Sequence, residues 1–264
     1  MFVTIINDCR DANEMGRQTT RASILFPQAN ISFMGIHNFN EIEAAGNLVD
    51  IIDAATGDEG IIMVNAAPRH GSGKTWKNGT PFGYFTHKRK TIVTTVAGQT
   101  LSLAKKFNLI DKMYVTDLPT VIDEFIERGK FDKTARDRTV LTQFRSFEYM
   151  PFLAKWLHAG EEVTAEEMPL SDIPDAPKTV WWVDNFGNTK TTLLPEEVDF
   201  KAGKKIKTKL GEFTCYDRLK DVPNSEVGLI IGSSGYKNQR FLEIVIQGKS
   251  AAKELGLHSG MDLF

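Results

Sequence analysis

Cysteine is nearly absent: Cys9 and Cys215 are the two in 264 residues, and they stand in no Cys-x-x-Cys spacing. Neither a disulfide framework nor a zinc site is expected, and both thiols are read as reduced. Histidine is sparse as well. His37, His70, His87, His158 and His258 are not spaced from one another or from cysteine as metal ligands are, so no metal centre is expected. No sign of charge dominates, since 32 Lys and Arg against 34 Asp and Glu leave a formal net charge of −2. That balance gives no general ground for nucleic acid or an anionic membrane as partner. Long apolar runs are missing: stretches such as 60–64 and 227–231 fall far short of the roughly 18–20 residues a membrane span needs. The first residues reach Asp8 with neither a basic start nor a small-residue cleavage site. No secretory signal is expected, and a cytoplasmic location is the default expectation.

What is present is ordinary globular composition, 41% hydrophobic and 25% charged, long enough for one large domain or two smaller ones. Through the first half, short β-rich runs (2–6, 31–36, 60–64, 83–86, 91–95, 112–115) alternate with helix-compatible stretches (14–26, 40–55, 101–107, 120–128). Alternation of this kind predicts an α/β N-terminal domain with a largely parallel sheet. Acidic residues and Pro169, Pro174 and Pro177 then crowd 161–178. The expected division is a domain over 1–165, a linker over 166–178 and a second domain over 179–264. Five short strand-like runs (179–183, 204–210, 211–216, 227–231, 241–246) separated by turns predict a small all-β, barrel-like C-terminal domain.

Several short patterns bear on chemistry. Gly73-Lys74-Thr75 follows an apolar run as a phosphate loop does, but the required earlier glycine is Pro68 and the following Gly79, Pro81 and Gly83 cannot open a helix. A polar loop is the better reading. His70, beside Arg69 in a loop after a strand, stands where α/β proteins place ligand-contacting residues, or is simply an exposed loop histidine. Asp8 closes the first strand. Its two carboxylate oxygens suit the two hydroxyls of a ribose diol, or alternatively cap the helix starting near Glu14. Val183-Asp184-Asn185-Phe186-Gly187-Asn188 reads as a hairpin turn with Gly187 at positive φ. Gly232-Ser233-Ser234-Gly235 is a loop after an apolar strand, or a run of exposed backbone N–H groups able to hold a carboxylate.

Taken together these segments resemble the S-adenosyl-L-methionine (SAM) hydroxide adenosyltransferases, relatives of the SAM-dependent chlorinases and fluorinases. Asn7-Asp8-Cys9 with Gly16, and Phe26-Pro27-Gln28-Ala29, are similar to that family's opening Thr-Asp-Phe-Gly and Ile-x-Pro-Asp-Ala blocks. The strongest likeness lies later, where 183–188 resembles Val-Asp-x-Phe-Gly-Asn, and Ile231 to Tyr236 with Leu242-Glu243-Ile244 resembles Gly-Ser-Ser-Gly-Tyr-Leu-Glu-Ile. The blocks run in order over nearly the whole chain.

The resemblance implies a SAM site with no further cofactor, SAM itself being substrate or ligand. Asp8 would take the ribose diol, Asp184 the methionine ammonium, and Ser233 and Ser234 its carboxylate. Asn188 and Gln247 with Gly248 would address the adenine edge, and Phe39 and Phe186 its face. It also implies a homotrimer with sites between subunits. Some family residues are replaced: Ala67 stands where a water-orienting Asp is expected, Val96-Ala97-Gly98-Gln99 lacks a carboxylate, and Phe144-Arg145-Ser146-Phe147-Glu148 lacks a His. Residues 237–241 are inserted before Leu242. Arg69 and His70 are then the candidate catalytic residues. The expected reaction is cleavage of SAM at C5′ by water to adenosine and L-methionine; the alternatives are a SAM- or adenosine-binding protein without turnover, or a halide-using or lyase relative.

Overall fold

The computed structural model describes residues 1–67 and 79–264. It divides into two compact units, residues 1–44 with 55–174 and residues 45–54 with 175–264. Among the described residues no helix is long and apolar enough to cross a membrane.

The first unit is built on a seven-stranded sheet. Its strands are β1 (Phe2–Asn7), β2 (Asn30–Gly35), β3 (Gly60–Asn65), β4 (Phe82–His87), β5 (Lys90–Thr95), β6 (Met113–Val115) and β7 (Glu166–Met168). The spatial order is β2-β1-β3-β5-β4-β6-β7. β1 pairs in parallel with β2 and β3, and β3 with β5. β4, β6 and β7 join antiparallel. The sheet is therefore mixed rather than largely parallel. The reason is local: His87 pairs with Lys90 across a two-residue turn, with Lys88 at φ 56°, so β4 and β5 form a hairpin. β7 also corrects the expected linker, because three residues of the acidic segment close the sheet edge against β6.

Helices α1 (Ala12–Leu25), α3 (Ser102–Lys106), α4 (Leu118–Glu127), α5 (Arg136–Leu141), α6 (Arg145–Glu148) and α7 (Met150–His158) belong to this unit, with α2 (Glu41–Ala54) preceding α3 in the chain. β3 and β5 are buried at every position, as strands covered on both faces should be. α4 has Asp117 as its N-cap and Pro119 in its first turn, and it turns Val121, Ile122 and Phe125 inward. Phe125 stacks on Trp156 of α7 with centroids 3.8 Å apart. Residues 136–158 were not expected to be helical; α5 and α6 are too short to show a period.

The second unit carries a six-stranded sheet in the order β10-β11-β12-β13-β9-β8. These strands are β8 (Val180–Val183), β9 (Thr189–Thr191), β10 (Lys205–Thr208), β11 (Gly211–Cys215), β12 (Val227–Tyr236) and β13 (Gln239–Ile246), followed by α8 (Ala251–Leu255). Pairing is antiparallel except between β11 and β12. Among the described residues the outer strands β10 and β8 do not pair, so the unit is a sheet-rich domain without a closed barrel. Residues 45–54, the C-terminal part of α2, pack in this unit. A Cβ at Gly46 would fall 2.1 Å from Trp181 Cε3, so only glycine lets the indole lie on the helix.

Candidate functional site

In the first unit Asp8 lies at the carboxyl end of β1, 7% exposed. Its Oδ2 accepts the backbone N–H of Ala67 at 2.8 Å and of Phe39 at 3.1 Å, and its Oδ1 accepts Asn65 Nδ2 at 3.2 Å. Three loops are thereby tied to one carboxylate. The capping alternative for Asp8 is resolved by its neighbour: Asp11 Oδ1 accepts Asn13 N and Glu14 N and is the N-cap of α1. Behind Asp8, Asn65 Nδ2 also donates to Asn7 Oδ1 at 2.9 Å, and Asn7 bonds Gln18. Phe39 is brought to Asp8 by its own N–H, at φ 63° and 47% exposed. A half-exposed aromatic held in the left-handed region marks a loop shaped for something other than stability.

Arg69 and His70, the candidate catalytic residues, lie outside the described residues, as does Gly73-Lys74-Thr75. Ala67 offers a methyl where a carboxylate was expected, and its N–H is used on Asp8. Gly98 and Gln99, in the segment lacking its own carboxylate, receive one from α2: Gln99 N donates to Glu41 Oε2 at 2.7 Å.

In the second unit a cavity of about 730 Å³ is lined by Asp184, Phe186, Asn188, Ser233, Glu243 and Gln247, among others. The turn between β8 and β9 forms one wall. Asp184 Oδ1 accepts the N–H of Phe186 and of Asn188, each at 2.9 Å, while Oδ2 accepts Asn188 Nδ2 at 3.0 Å. Three of the roughly four acceptor sites of this carboxylate thus serve its own turn. Gly187 sits at φ 84°, and a Cβ there would fall 1.9 Å from Ser250 Oγ, the N-cap of α8. That close approach, with Ala252 N donating to Gly187 O at 3.0 Å, joins the turn to the loop carrying Gln247 and Gly248. Phe186 is left 73% exposed at the cavity.

The opposite wall is a bulge in β12. Register is lost between Ile231 and Gly235, so Gly232, Ser233 and Ser234 leave the ladder with β13. Two N–H groups of the expected run are already taken by the chain's own carboxylates: Gly235 N donates to Asp50 Oδ1 at 2.9 Å and Ser233 N to Glu243 Oε1 at 3.4 Å. Asp53 accepts Lys237 N at 2.7 Å and Arg240 Nη1 at 2.8 Å, so α2 clamps the hairpin that the inserted residues lengthen. Ser233 lines the cavity, whereas Ser234 is 3% exposed and its hydroxyl accepts the Lys190 ammonium. Lys190 Nζ is 3.9 Å from Asp50 Oδ2. Burial pushes the Asp50 and Glu243 carboxyls above their usual range, with Lys190 opposing it in both.

Of the expected binding residues, the structure gathers Asp184, Phe186, Asn188, Ser233 and Gln247 on one cavity and Asp8 with Phe39 in the first unit. Asp50, Lys190 and Glu243 were not expected. Asp50 and Glu243 lie within stretches read as helix and strand, where a charged residue signals nothing until the cavity is seen. Among the described residues no group of His, Cys, Asp and Glu is placed to hold a metal.

The two sheets make this an α/β protein with a sheet-rich second domain that carries a polar cavity walled by turns and rimmed by an aromatic. Residues 178–264, about a third of the chain, match the SAM hydroxide adenosyltransferase C-terminal domain. No curated protein matches it in sequence. Two solved structures share the fold over 100% of this chain. One is an uncharacterized conserved protein from Thermotoga maritima, at 14% identity and TM-score 0.72, matched over 100% of its own length. The other is a conserved hypothetical protein from Thermus thermophilus, at 17% identity and TM-score 0.67, matched over 99% of its length.

Proposed function

We propose that this protein binds SAM and cleaves it at C5′ with water, giving adenosine and L-methionine. The observation that supports the reading best is the meeting of three separate sequence blocks, 183–188, 231–236 and 247–250, on one cavity of the second unit. A purine edge fits Asn188 and Gln247, its face fits the exposed Phe186, and a zwitterionic amino-acid end fits Asp184 and Ser233. In the first unit Asp8 would take the ribose diol and Phe39 would supply a second aromatic face.

The chemistry asks little of acid–base groups. A water oxygen bonds to C5′, the C5′–S bond breaks with its electron pair on sulfur, and the water proton passes to solvent. Sulfur leaves as a neutral thioether and needs no general acid. Positioning and desolvation of the water carry the rate. Arg69 and His70 are assigned to that water, the imidazole being the group that can accept a proton near neutrality.

A second reading, a SAM- or adenosine-binding protein without turnover, is favoured by Ala67, whose side chain cannot orient water. One experiment separates these and the halide and lyase alternatives: incubation of the purified protein with SAM, with and without chloride, and identification of products by mass. Adenosine with methionine supports hydrolysis. Retained, unchanged SAM supports the binder, 5′-chloro-5′-deoxyadenosine a halogenase, and methylthioadenosine with homoserine lactone a lyase.

A further inference from the structure

Glu243 is more than nine-tenths buried, at 8% exposure, and yet it lines the cavity of the second unit. Its position is enforced, since a Cβ on Gly232 would fall 2.3 Å from Oε1. Its partners are poor. Oε1 receives only the long 3.4 Å contact from Ser233 N, and among the described residues Glu243 forms no ion pair within 4 Å. Lys190 is directly opposite it across the β13–β9 ladder, but the ammonium is turned to Ser234 Oγ and Asp50. Asp184, by contrast, spends its acceptors on its own turn. Two carboxylates, Asp184 and Glu243, therefore line the cavity together with Lys190 and Lys249, and of the two the one with unused acceptor capacity is Glu243.

We infer that Glu243 is a binding residue for a ligand ammonium group, the main counter-charge for the α-ammonium of an amino-acid-bearing nucleoside in this cavity. The inference rests on the SAM reading given above. A sulfonium carries charge but no N–H, whereas an α-ammonium offers three directed donors to a carboxylate, and such charge-assisted bonds are the strong ones. A cation seated there would also restore the Glu243 carboxyl from the raised value that burial imposes. The cavity would accordingly discriminate by head group, holding the amino-acid-bearing nucleoside and passing adenosine with no contribution from this residue.

The test is calorimetry of the native protein and Glu243→Gln with SAM, S-adenosylhomocysteine and adenosine, with thermal melting as a fold control. SAM and S-adenosylhomocysteine should each weaken at least about tenfold in the variant, and adenosine should be unchanged. Loss for SAM alone would mean the charge on sulfur is what Glu243 meets, and would overturn the ammonium assignment; so would equal loss for all three ligands, or for none. If the native protein binds neither SAM nor S-adenosylhomocysteine, the SAM reading itself fails and this inference with it. Binding by the native protein with no change in the variant fails the Glu243 inference alone. Should Glu243→Gln not fold, Glu243→Asp, which keeps the charge on a shorter arm, must still weaken SAM several-fold and spare adenosine.

Discussion

Gly187→Ala is the sharpest test of how the second unit's cavity is built. Two costs meet at that position. The residue sits at φ 84°, where an L side chain loses about 1–2 kcal/mol against glycine. The new methyl would also fall 1.9 Å from Ser250 Oγ, 2.5 Å from its Cβ and 2.9 Å from its Cα, so side chain and backbone must both yield. Overpacking of this kind costs a further ~1–3 kcal/mol, for a total of about 2–5 kcal/mol. Gly248 is a built-in control: it has φ 81° and nothing within 4 Å of a Cβ, so Gly248→Ala should show the backbone cost alone, about 1–2 kcal/mol. Adding Ser250→Gly to Gly187→Ala should recover part of the difference, because it removes Oγ and Cβ but not Cα, and on its own it costs only a few tenths of a kcal/mol as a cap change. Thermal melting gives the ranking. Hydrogen exchange at Ala252, whose N–H bonds Gly187 O, locates the damage. Equal destabilisation by Gly187→Ala and Gly248→Ala, or no recovery in the double variant, would refute the close-approach argument.

Asp8→Ala should weaken adenosine and SAM by about 1.5–3 kcal/mol in calorimetry and also lower the melting temperature, since the N–H groups of Ala67 and Phe39 lose their acceptor; unchanged affinity in the folded variant would remove Asp8 from the ribose. The free protein should gain stability from Glu243→Gln as pH rises above the ordinary glutamate value of 4.5. Its carboxyl is raised in the native state, so within that window the folded chain binds more protons than the unfolded one and ionisation costs stability, a cost the amide lacks. Parallel melting curves for the two proteins between about pH 4 and neutrality would contradict the burial argument. Sedimentation of the purified protein should show three chains per particle, the assembly implied by the family resemblance; a monomer at micromolar concentration would count against it.

Turns were the most legible part of the site. The Val183–Asn188 segment shows in sequence because an Asx carboxylate, a positive-φ glycine and a flanking strand are local requirements, and the structure meets each within six residues. The Gly232–Gly235 segment was legible as exposed backbone N–H groups but not in what fills them. Asp50 is 185 residues away in sequence from the N–H it accepts, and no local pattern reports such a pairing. The parallel core was readable from β3, apolar from Gly60 to Val64, whereas β7 was not: three residues of an acidic segment gain strand structure only from the β6 edge beside them. Asp8 and Asp11 could not be told apart as caps by spacing, because both precede α1 by distances that a bend in the chain can accommodate.

The clamp of α2 on the β12–β13 hairpin bears on how this protein is made. Residues 175–264 leave the ribosome long after the helix segment that supplies a surface for Trp181 and acceptors for Gly235, Lys237 and Arg240, which was synthesised more than a hundred residues earlier. The hairpin closes on an element that must still be accessible when residues 227–246 arrive, a long-range step of the kind that slows folding. A fragment cut at the sequence boundary of the second domain would leave an indole and several N–H groups without their partners; a fragment fused to residues 45–54 would restore them.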